Sequence, residues 1–529
     1  MPAEIRLALT LPGAVSLGAF EAGAVAALGV ALRAHEERPG GPAVRLDVIG
    51  ATSAGALTGL LLARTLLEGG DPLAPQERSW MSDASLRTLL ARGWTAPLTY
   101  RVVRRRAGAL LTPPPGARPL GSGRSVRLTV SLTNLRGLAY RLPGVTTLGP
   151  PVVTHLDGID LHLVAGVDTA SLLEPRGSSM VDVVLAAAAH QLGFAPELLS
   201  RAAERSRYEE DGVVNFPDSD RFWYSDAGLL DREPLGRTLR LARRVDQEEG
   251  GDFQRVHVLV RPQPQRAGTG DAWADPTVPP RWSQVLARSL AIQHDQSIFD
   301  DLSGVAETND RLTAVDILLT ALLPAVAGAP AAGQEELRAA LAGVVGGSPE
   351  VADGSIEVLL RRALSAAAHV TGKKRIGVET IAPPEPDVAS PQRNGDPRAA
   401  GALAGAGLFR FAGFLDARLR RHDFAVGYDC ALQWLASDGL VRHGLTAAQS
   451  DVMVAEVTRR RPERAPLPRR TLSLRARWQA ARLLARLGRV AVHDAVVGHR
   501  DAGRSARSRV AATGRRGRAG RTGPLGDPG

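Results

Sequence analysis

The 529-residue sequence contains a single cysteine and few aromatic residues. Because Cys430 has no second cysteine to pair with, intramolecular disulfides and cysteine metal clusters are excluded, and a buried thiol is the favoured interpretation. Aromatic side chains make up 4% of the chain, whereas alanine, glycine, arginine and leucine dominate, which favours helices packed through small side chains. Apolar residues at 44% and charged residues at 23% are typical of a globular core.

The sequence also lacks long apolar runs. No basic stretch leads into an apolar segment at the N-terminus, as a signal peptide would require. A long stretch without charge, Ile317 to Gly333, has 17 residues and contains Pro324 and Pro330, so it is too short and too broken for a spanning helix. These features predict a cytoplasmic protein that is soluble or peripherally bound to a membrane.

The net charge of +10 is distributed unevenly. Residues 461–529 contain 17 arginines, no lysine and four acids, a charge of +13, so the first 460 residues sum to −3. An amphipathic helix is predicted from Thr471 to about Val497, with Leu474, Trp478, Leu484 and Leu487 near one face. The last 30 or so residues are predicted to be disordered.

Two surface partners fit this basic tail: anionic lipid headgroups and nucleic acid. The tail lacks the interleaved aromatic residues of a single-strand binder, so nucleic acid ranks second. An inert, solvated terminus remains the alternative. The sequence does not indicate an oligomeric state.

Strand and helix patterns alternate in the first half of the chain, which predicts a parallel α/β layer. The predicted strands are Ile5 to Leu11, Arg45 to Ile49, Arg127 to Thr133, Leu161 to Val167 and Val256 to Arg261. The predicted helices are Ala19 to Glu36, Ala54 to Leu67 and Met180 to Ala189. We expect an α/β domain at 1–265, a mainly helical extension at 266–460 with one strand at Arg375 to Ile381 and a proline-rich loop at Pro383 to Pro397, and the basic tail at 461–529.

The stretch DVIGATSAGAL, Asp47 to Leu57, places a serine between a predicted strand and a predicted helix. Such a turn is the context that a nucleophile elbow requires, and it needs small residues on either side of the serine. Ala51 and Gly55 meet that need around Ser53, although the usual first glycine is replaced by Ala51. On the pattern alone, a structural turn is the favoured interpretation.

A second loop, Gly13 to Gly18, follows the first strand and opens a helix. Backbone N–H groups in such a loop can form an oxyanion hole. A phosphate-binding turn is the alternative, but the residues give neither G-x-G-x-x-G nor a lysine-bearing P-loop.

Taken in order, these motifs resemble the patatin-like phospholipase family. The family's glycine-rich loop is matched by Gly13 to Gly18, its elbow by residues 51–55, and its Asp-Gly-Gly/Ala motif by Asp226-Ala227-Gly228 within WYSDAGLLDREPLG. Leu185 to Glu197 resembles the family's small-residue segment, and Leu408 to Leu435 a C-terminal segment of bacterial members. The departures from the family pattern are Ala14 and Val15 for glycine, Leu17 for arginine or lysine, Ala51 for glycine, Gln191 for proline and Ala227 for glycine.

The resemblance implies a three-layer α/β/α fold with a mainly parallel sheet and a Ser–Asp dyad without histidine. Ser53 would be the nucleophile and Asp226 the general base, working on a carboxylic ester of a phospholipid or another lipid. The oxyanion would be held by the backbone N–H groups of Gly13, Ala14, Val15 and Ala54. No cofactor is implied, and no metal-site spacing is present.

Several alternatives remain open at this point. Asp157 and Asp231 are competing acids, and a three-residue triad through His155 or His190 is conceivable. The same dyad would also serve a neutral-lipid lipase, a thioesterase or an acyltransferase. The substituted glycines also fit a non-catalytic module that binds a membrane or another partner.

Overall fold

A computed structural model describes most of the chain. The described residues are 2–38, 40–91, 96–111, 124–141, 150–165, 178–191, 193–263, 282–345, 355–384, 403–406, 410–463 and 476–493. Most of the predicted proline-rich loop, Leu474 and the terminal 494–529 therefore lie outside the described residues.

Eight strands form one mixed sheet in the described part of the chain. They are β1 (Glu4–Leu11), β2 (Ala43–Thr52), β3 (Ser125–Tyr140), β4 (Val152–Val164), β5 (Glu197–Ser200), β6 (Arg221–Asp226), β7 (Phe253–Val260) and β8 (Val378–Ile381). The order is β5-β6-β3-β2-β1-β7-β8, with β4 also paired to β3. Strands β3, β2, β1, β7 and β8 run parallel, whereas β4 and β6 are antiparallel to β3 and β5 is antiparallel to β6.

The helices that flank the sheet come mainly from the first half of the chain. They are α1 (Gly18–Glu37), α2 (Ala54–Glu68), α3 (Ala74–Glu77), α4 (Leu86–Leu89), α5 (Arg101–Leu111), α6 (Met180–Ala187), α7 (Arg205–Glu210) and α8 (Leu235–Glu249). The later helices are α9 (Trp282–Ala327), α10 (Ala331–Val345), α11 (Ile356–Ala367), α12 (Ala412–Leu415), α13 (Ala417–Ala436), α14 (Ala447–Arg459) and α15 (476–493).

Alternate residues of the central strands are buried on opposite faces of the sheet. Leu7 and Leu9 of β1 pack into the main core with α1 and α2. Ala8 of β1 and Val48 of β2 pack instead against α8. Because helices cover both faces of these strands, apolar residues point to both sides of the sheet. The predicted three-layer α/β/α architecture with a mainly parallel sheet is confirmed.

Helix α1 is the central core helix. Among the described residues, the segment Val15–Glu37, with a mean hydropathy of 1.8, is the one helix long and apolar enough to cross a membrane by length and composition. The most apolar 18-residue stretch of that segment is 94% buried inside the protein. Its apolar sequence is therefore accounted for by packing.

Helices α1 and α13 cross at unusually close range. A Cβ on Gly23 of α1 would collide with the carbonyl of Phe424, and a Cβ on Gly427 of α13 would collide with the carbonyl of Phe20. Glycine at both positions lets the two backbones touch. Buried residues of 403–406 and 410–457 thus share one hydrophobic core with β1 and α1.

The predicted unit 266–460 is consequently not a single packing unit. Helices α9 and α11 build a small separate cluster around Val315, Leu319 and Leu360. By contrast, α13 and α14 belong to the main core. The sequence could not reveal this division, because it depends on contacts between segments far apart in the chain.

Other differences are local. Strand β4 begins at Val152, well before the predicted start at Leu161, because it pairs along the length of β3. Strands β5 and β6 were not predicted. Helix α15 packs against the main core through Ala476 and Leu483, and Val490 is also buried, whereas Trp478 and Leu484, which were predicted to lie near one face, are both exposed.

Candidate active site

Ser53 occupies a strained turn between β2 and α2. Its φ is 55° and its ψ is −122°, a conformation that non-glycine residues rarely adopt. The side chain is 5% exposed. A Cβ on Gly55 would lie 2.5 Å from the carbonyl oxygen of Leu11, so only glycine lets α2 pass β1 this closely. Ala51 is accommodated as a fully buried residue paired with Leu11.

Asp226 meets Ser53 from the end of β6. The Ser53 Oγ donates a hydrogen bond to Asp226 Oδ2. The other carboxylate oxygen, Oδ1, accepts the N–H of Gly228 at 2.6 Å. Asp226 is 1% exposed. The contact joins residues 173 positions apart and leaves a buried carboxylate beside the serine hydroxyl.

The main chain of Asp226 is fixed from three sides. Its carbonyl accepts hydrogen bonds from Thr133 Oγ1 at 2.9 Å and from Gln191 Nε2 at 2.6 Å. Its N–H donates to the carbonyl of Ala189 at 3.1 Å. Gln191, which departs from the family pattern, therefore has a definite role in holding Asp226.

The loop Gly13 to Gly18 lies directly against Ser53. A Cβ on Gly13 would be 3.2 Å from the Ser53 Cβ. Val15 has a φ of 54°, a strained value for a β-branched residue. The loop and the elbow therefore present two strained residues beside each other.

Gly13 does not fit its predicted oxyanion role. Its N–H donates to the carbonyl of Arg232 at 2.8 Å, and Arg232 Nε donates back to the Gly13 carbonyl at 2.8 Å. This N–H is already engaged, so the prediction for Gly13 is corrected to an anchoring role. No described residue accepts a hydrogen bond from the N–H groups of Ala14, Val15 or Ala54, and these three remain suitable donors.

A C-terminal segment clamps the same loop. The N–H and the Oγ of Ser16 both donate to the carbonyl of Arg410, and the N–H of Gly413 donates to Ser16 Oγ at 3.1 Å. Buried Arg420 donates to the carbonyls of Trp80, Met81 and Gly413 at 2.7, 2.9 and 2.5 Å. Sequence reasoning found the resemblance at 408–435 but missed these contacts.

An apolar cleft opens beside Ser53. Its wall combines aromatic side chains from distant parts of the chain, namely Trp80, Tyr100, Phe194, Phe411 and Phe414. A mainly apolar and aromatic lining is typical of ligand sites. The cleft is suited to an apolar chain attached to a group that reaches the Ser53 hydroxyl.

The candidate histidines occupy different places. His190 lines the cleft, with its ring edge-on to Phe411 at 5.5 Å between centroids. Burial lowers the pKa of His190, and the charge of Asp226 offsets only part of that shift, so the ring is neutral at pH 7. The Nδ1 of His155 lies 2.8 Å from the carbonyl of Asn134.

The competing acids have structural partners. Asp157 binds Arg201 at 3.1 Å and accepts hydrogen bonds from Tyr208 and Tyr224, both at 2.7 Å. Burial alone would raise the pKa of Asp157, but Arg201 and the two hydroxyl groups more than offset burial, and the pKa is lowered. Asp231 accepts a hydrogen bond from Ser131 Oγ at 2.7 Å. Neither acid contacts Ser53.

Within the described residues, no group of three or more His, Cys, Asp or Glu side chains is arranged to hold a metal ion.

Residues 9–135 match the family model described as Patatin-like phospholipase. The match confirms the resemblance for the segment that contains the glycine-rich loop and the elbow, and it supports placing this domain among lipid acyl hydrolases. It ends before Asp226. No curated protein matches the chain.

Proposed function

We propose that the protein is a serine hydrolase that cleaves a carboxylic ester of a lipid, in the manner of a phospholipase A, through a Ser53–Asp226 dyad. The observation that carries the proposal is the hydrogen bond from Ser53 Oγ to Asp226 Oδ2 on a strained elbow beside an apolar cleft. The patatin-like match over 9–135 supports the substrate class.

The first half-reaction forms an acyl-enzyme. Asp226 accepts the hydroxyl proton while Ser53 Oγ attacks the ester carbonyl. The negative charge that develops on the carbonyl oxygen is stabilised by the N–H groups of Ala14, Val15 and Ala54. Collapse of the tetrahedral intermediate breaks the bond to the alcohol, which leaves with the proton held by Asp226.

The second half-reaction regenerates the serine. Water takes the place of the alcohol and gives a proton to Asp226 as its oxygen attacks the acyl carbonyl. The bond to Ser53 Oγ then breaks, the proton returns to the serine, and the fatty acid leaves. No cofactor takes part in this scheme. The same dyad would serve a neutral-lipid lipase, a thioesterase or an acyltransferase, and a substrate panel separates these activities.

Labelling with a fluorophosphonate probe tests the proposal, because the probe reacts only with activated serines. We expect the full chain to be labelled and Ser53→Ala to lose both labelling and esterase activity while its thermal unfolding stays close to that of the parent. Ser219→Ala, at an exposed serine, is the matched control and should be labelled normally. Labelling that persists in Ser53→Ala would contradict the assignment, and a chain that is never labelled would support a non-catalytic module.

A further inference from the structure

Helix α15 carries two apolar arcs rather than one. On the first, Ala476 is 1% exposed and packs into the main core, and Val490 is 7% exposed. The second faces outward and contains Trp478, Leu484 and Val492, which are 60%, 68% and 65% exposed. At 3.6 residues per turn these three side chains fall within an arc of roughly 120°. The second arc is therefore a contiguous apolar surface on a helix whose opposite side is already packed.

The charge of α15 is of one sign. Arg477, Arg482, Arg486 and Arg489 lie within 476–493, and that range contains no aspartate or glutamate. The guanidinium of Arg482 lies 4.5 Å from the centre of the Trp478 ring. Positive charge is thus held next to the exposed apolar arc.

We propose that the outward face of α15 docks the protein on an anionic lipid bilayer. Trp478, Leu484 and Val492 would enter the boundary between headgroups and acyl chains, and the arginines beside them would bind the anionic headgroups. Basic residues flanking exposed Trp and Leu are the pattern of helices that lie in the plane of the membrane interface. Packing of the inner arc orients this surface before it meets a membrane, so no folding of the helix has to accompany docking.

Other parts of the surface provide a matched comparison. Phe299, Ile317 and Leu318 of α9 are 64%, 63% and 47% exposed, similar to the apolar residues of α15. Phe299 is followed on α9 by the acids Asp300 and Asp301, which anionic headgroups repel. Asp316, beside Ile317, already pairs with the arginines next to it, Arg361 and Arg375. If exposed apolar side chains alone determined membrane binding, α9 and α15 would bind equally well. Because docking also needs basic residues beside the apolar ones, we expect binding through α15.

Co-sedimentation of the full chain with lipid vesicles tests the proposal without requiring catalysis. We expect binding to vesicles that contain phosphatidylglycerol and little binding to pure phosphatidylcholine. The affinity should fall as ionic strength rises from about 0.01 to about 1 M, because the Debye length shrinks from about 30 to about 3 Å. The triple variant Trp478→Ser, Leu484→Ser, Val492→Ser should bind at least about tenfold more weakly, since three apolar side chains no longer leave water.

The matched control is the triple variant Phe299→Ser, Ile317→Ser, Leu318→Ser, which should bind as the parent does. Hydrolysis of a short soluble ester should be the same in all three proteins, which separates docking from the proposed catalysis. Equal binding by the α15 variant and the parent would overturn the proposal, as would an equal loss in the α9 variant. Binding that depends on the arginines but not on Trp478, Leu484 and Val492 would show purely electrostatic adsorption and would also overturn it.

Discussion

Residues 410–459 and residues 282–367 both follow the α/β domain, yet they pack in opposite ways. Helix α13 is buried along most of its length, and its Gly427 lets it touch α1. Helix α9 leaves Phe299 and Ile317 largely exposed and contributes to a small cluster of its own. The segment farther from the serine in sequence is the one that builds the cleft. Participation in the site is decided by core packing, and distance along the chain is a poor guide to it.

The largest effect that we predict is on catalysis, for a substitution within the active site. Asp226→Asn should lower kcat by about 10²–10⁴-fold, because a positioned general base contributes about that much. Its hydrogen bonds from Gly228 and Thr133 should keep the fold intact, which thermal unfolding would check. His190→Ala should retain most of the activity. A folded His190→Ala enzyme without activity would favour a triad.

The next effect concerns the clamp from the C-terminal segment. Arg420→Met removes the donors from three buried carbonyls, each of which costs about 1–3 kcal/mol when left unsatisfied. We expect the free energy of unfolding to fall by about 3 kcal/mol or more, together with esterase activity, because Trp80 and Phe414 line the cleft. Arg420→Lys keeps one donor and should lose less. If Arg420→Met had the same free energy of unfolding as the parent, a stabilising role for the contacts of Arg420 would be contradicted.

The pH dependence of stability provides a third test in the same segment. Asp423 is fully buried and accepts hydrogen bonds from the N–H groups of Ala404 and Gly405 at 2.7 and 2.8 Å. Burial raises the pKa of Asp423 to about 7, although the two N–H groups pull it down. Since this folded-state pKa is above that of an unfolded aspartate, about 3.9, the stability it contributes is present in full below about pH 4 and is lost as the pH rises through 7.

Asp423→Asn removes that titration. The parent should therefore lose stability relative to the Asn variant between about pH 4 and pH 7, by about 1.4 kcal/mol for each unit of pKa difference that is titrated, and the difference should stay constant at higher pH. Thermal unfolding at several pH values measures the difference. Parallel pH profiles for the two proteins would contradict the raised pKa.

The smallest effect is expected in α11. Arg361 pairs with Asp316 at 2.8 Å, but the two side chains are 53% and 42% exposed. Exposed ion pairs contribute about 0–1 kcal/mol, so Arg361→Gln should change stability by less than ~1 kcal/mol and leave ester hydrolysis unchanged. If Arg361→Gln lost as much stability as Arg420→Met, the expected difference between the two regions would be contradicted.

The sequence predicted the first strand–helix repeats well, because they depend on local patterns. Helix α2 is predicted at Ala54 to Leu67 and found at Ala54–Glu68. The proximity of Ser53 to Asp226 followed from the family resemblance rather than from any local signal. The sequence could not show that the Gly13 N–H is already hydrogen-bonded and so cannot serve the oxyanion, because the residue that accepts it, Arg232, lies 219 positions away.

The pattern of α15 revealed only one of its two apolar arcs, for a related reason. Two apolar arcs on one helix give overlapping periodicities, and only packing shows which of them is buried. Leu483 joins the core while its neighbour Leu484 points outward. A helix pattern fixes which residues share a face, and it does not say which face meets the rest of the protein.

The contact between Ser16 and Arg410 also determines how early the site can be completed while the chain is being synthesised. The two residues are 394 positions apart, and at roughly 5–20 residues per second a ribosome needs about 20–80 seconds to add that length of chain. During that interval the elbow with Ser53 can form, because β1, α1, β2 and α2 are made early. The loop opposite the serine has no clamp until residues 410–413 emerge, so the cleft is completed only after that segment has been synthesised.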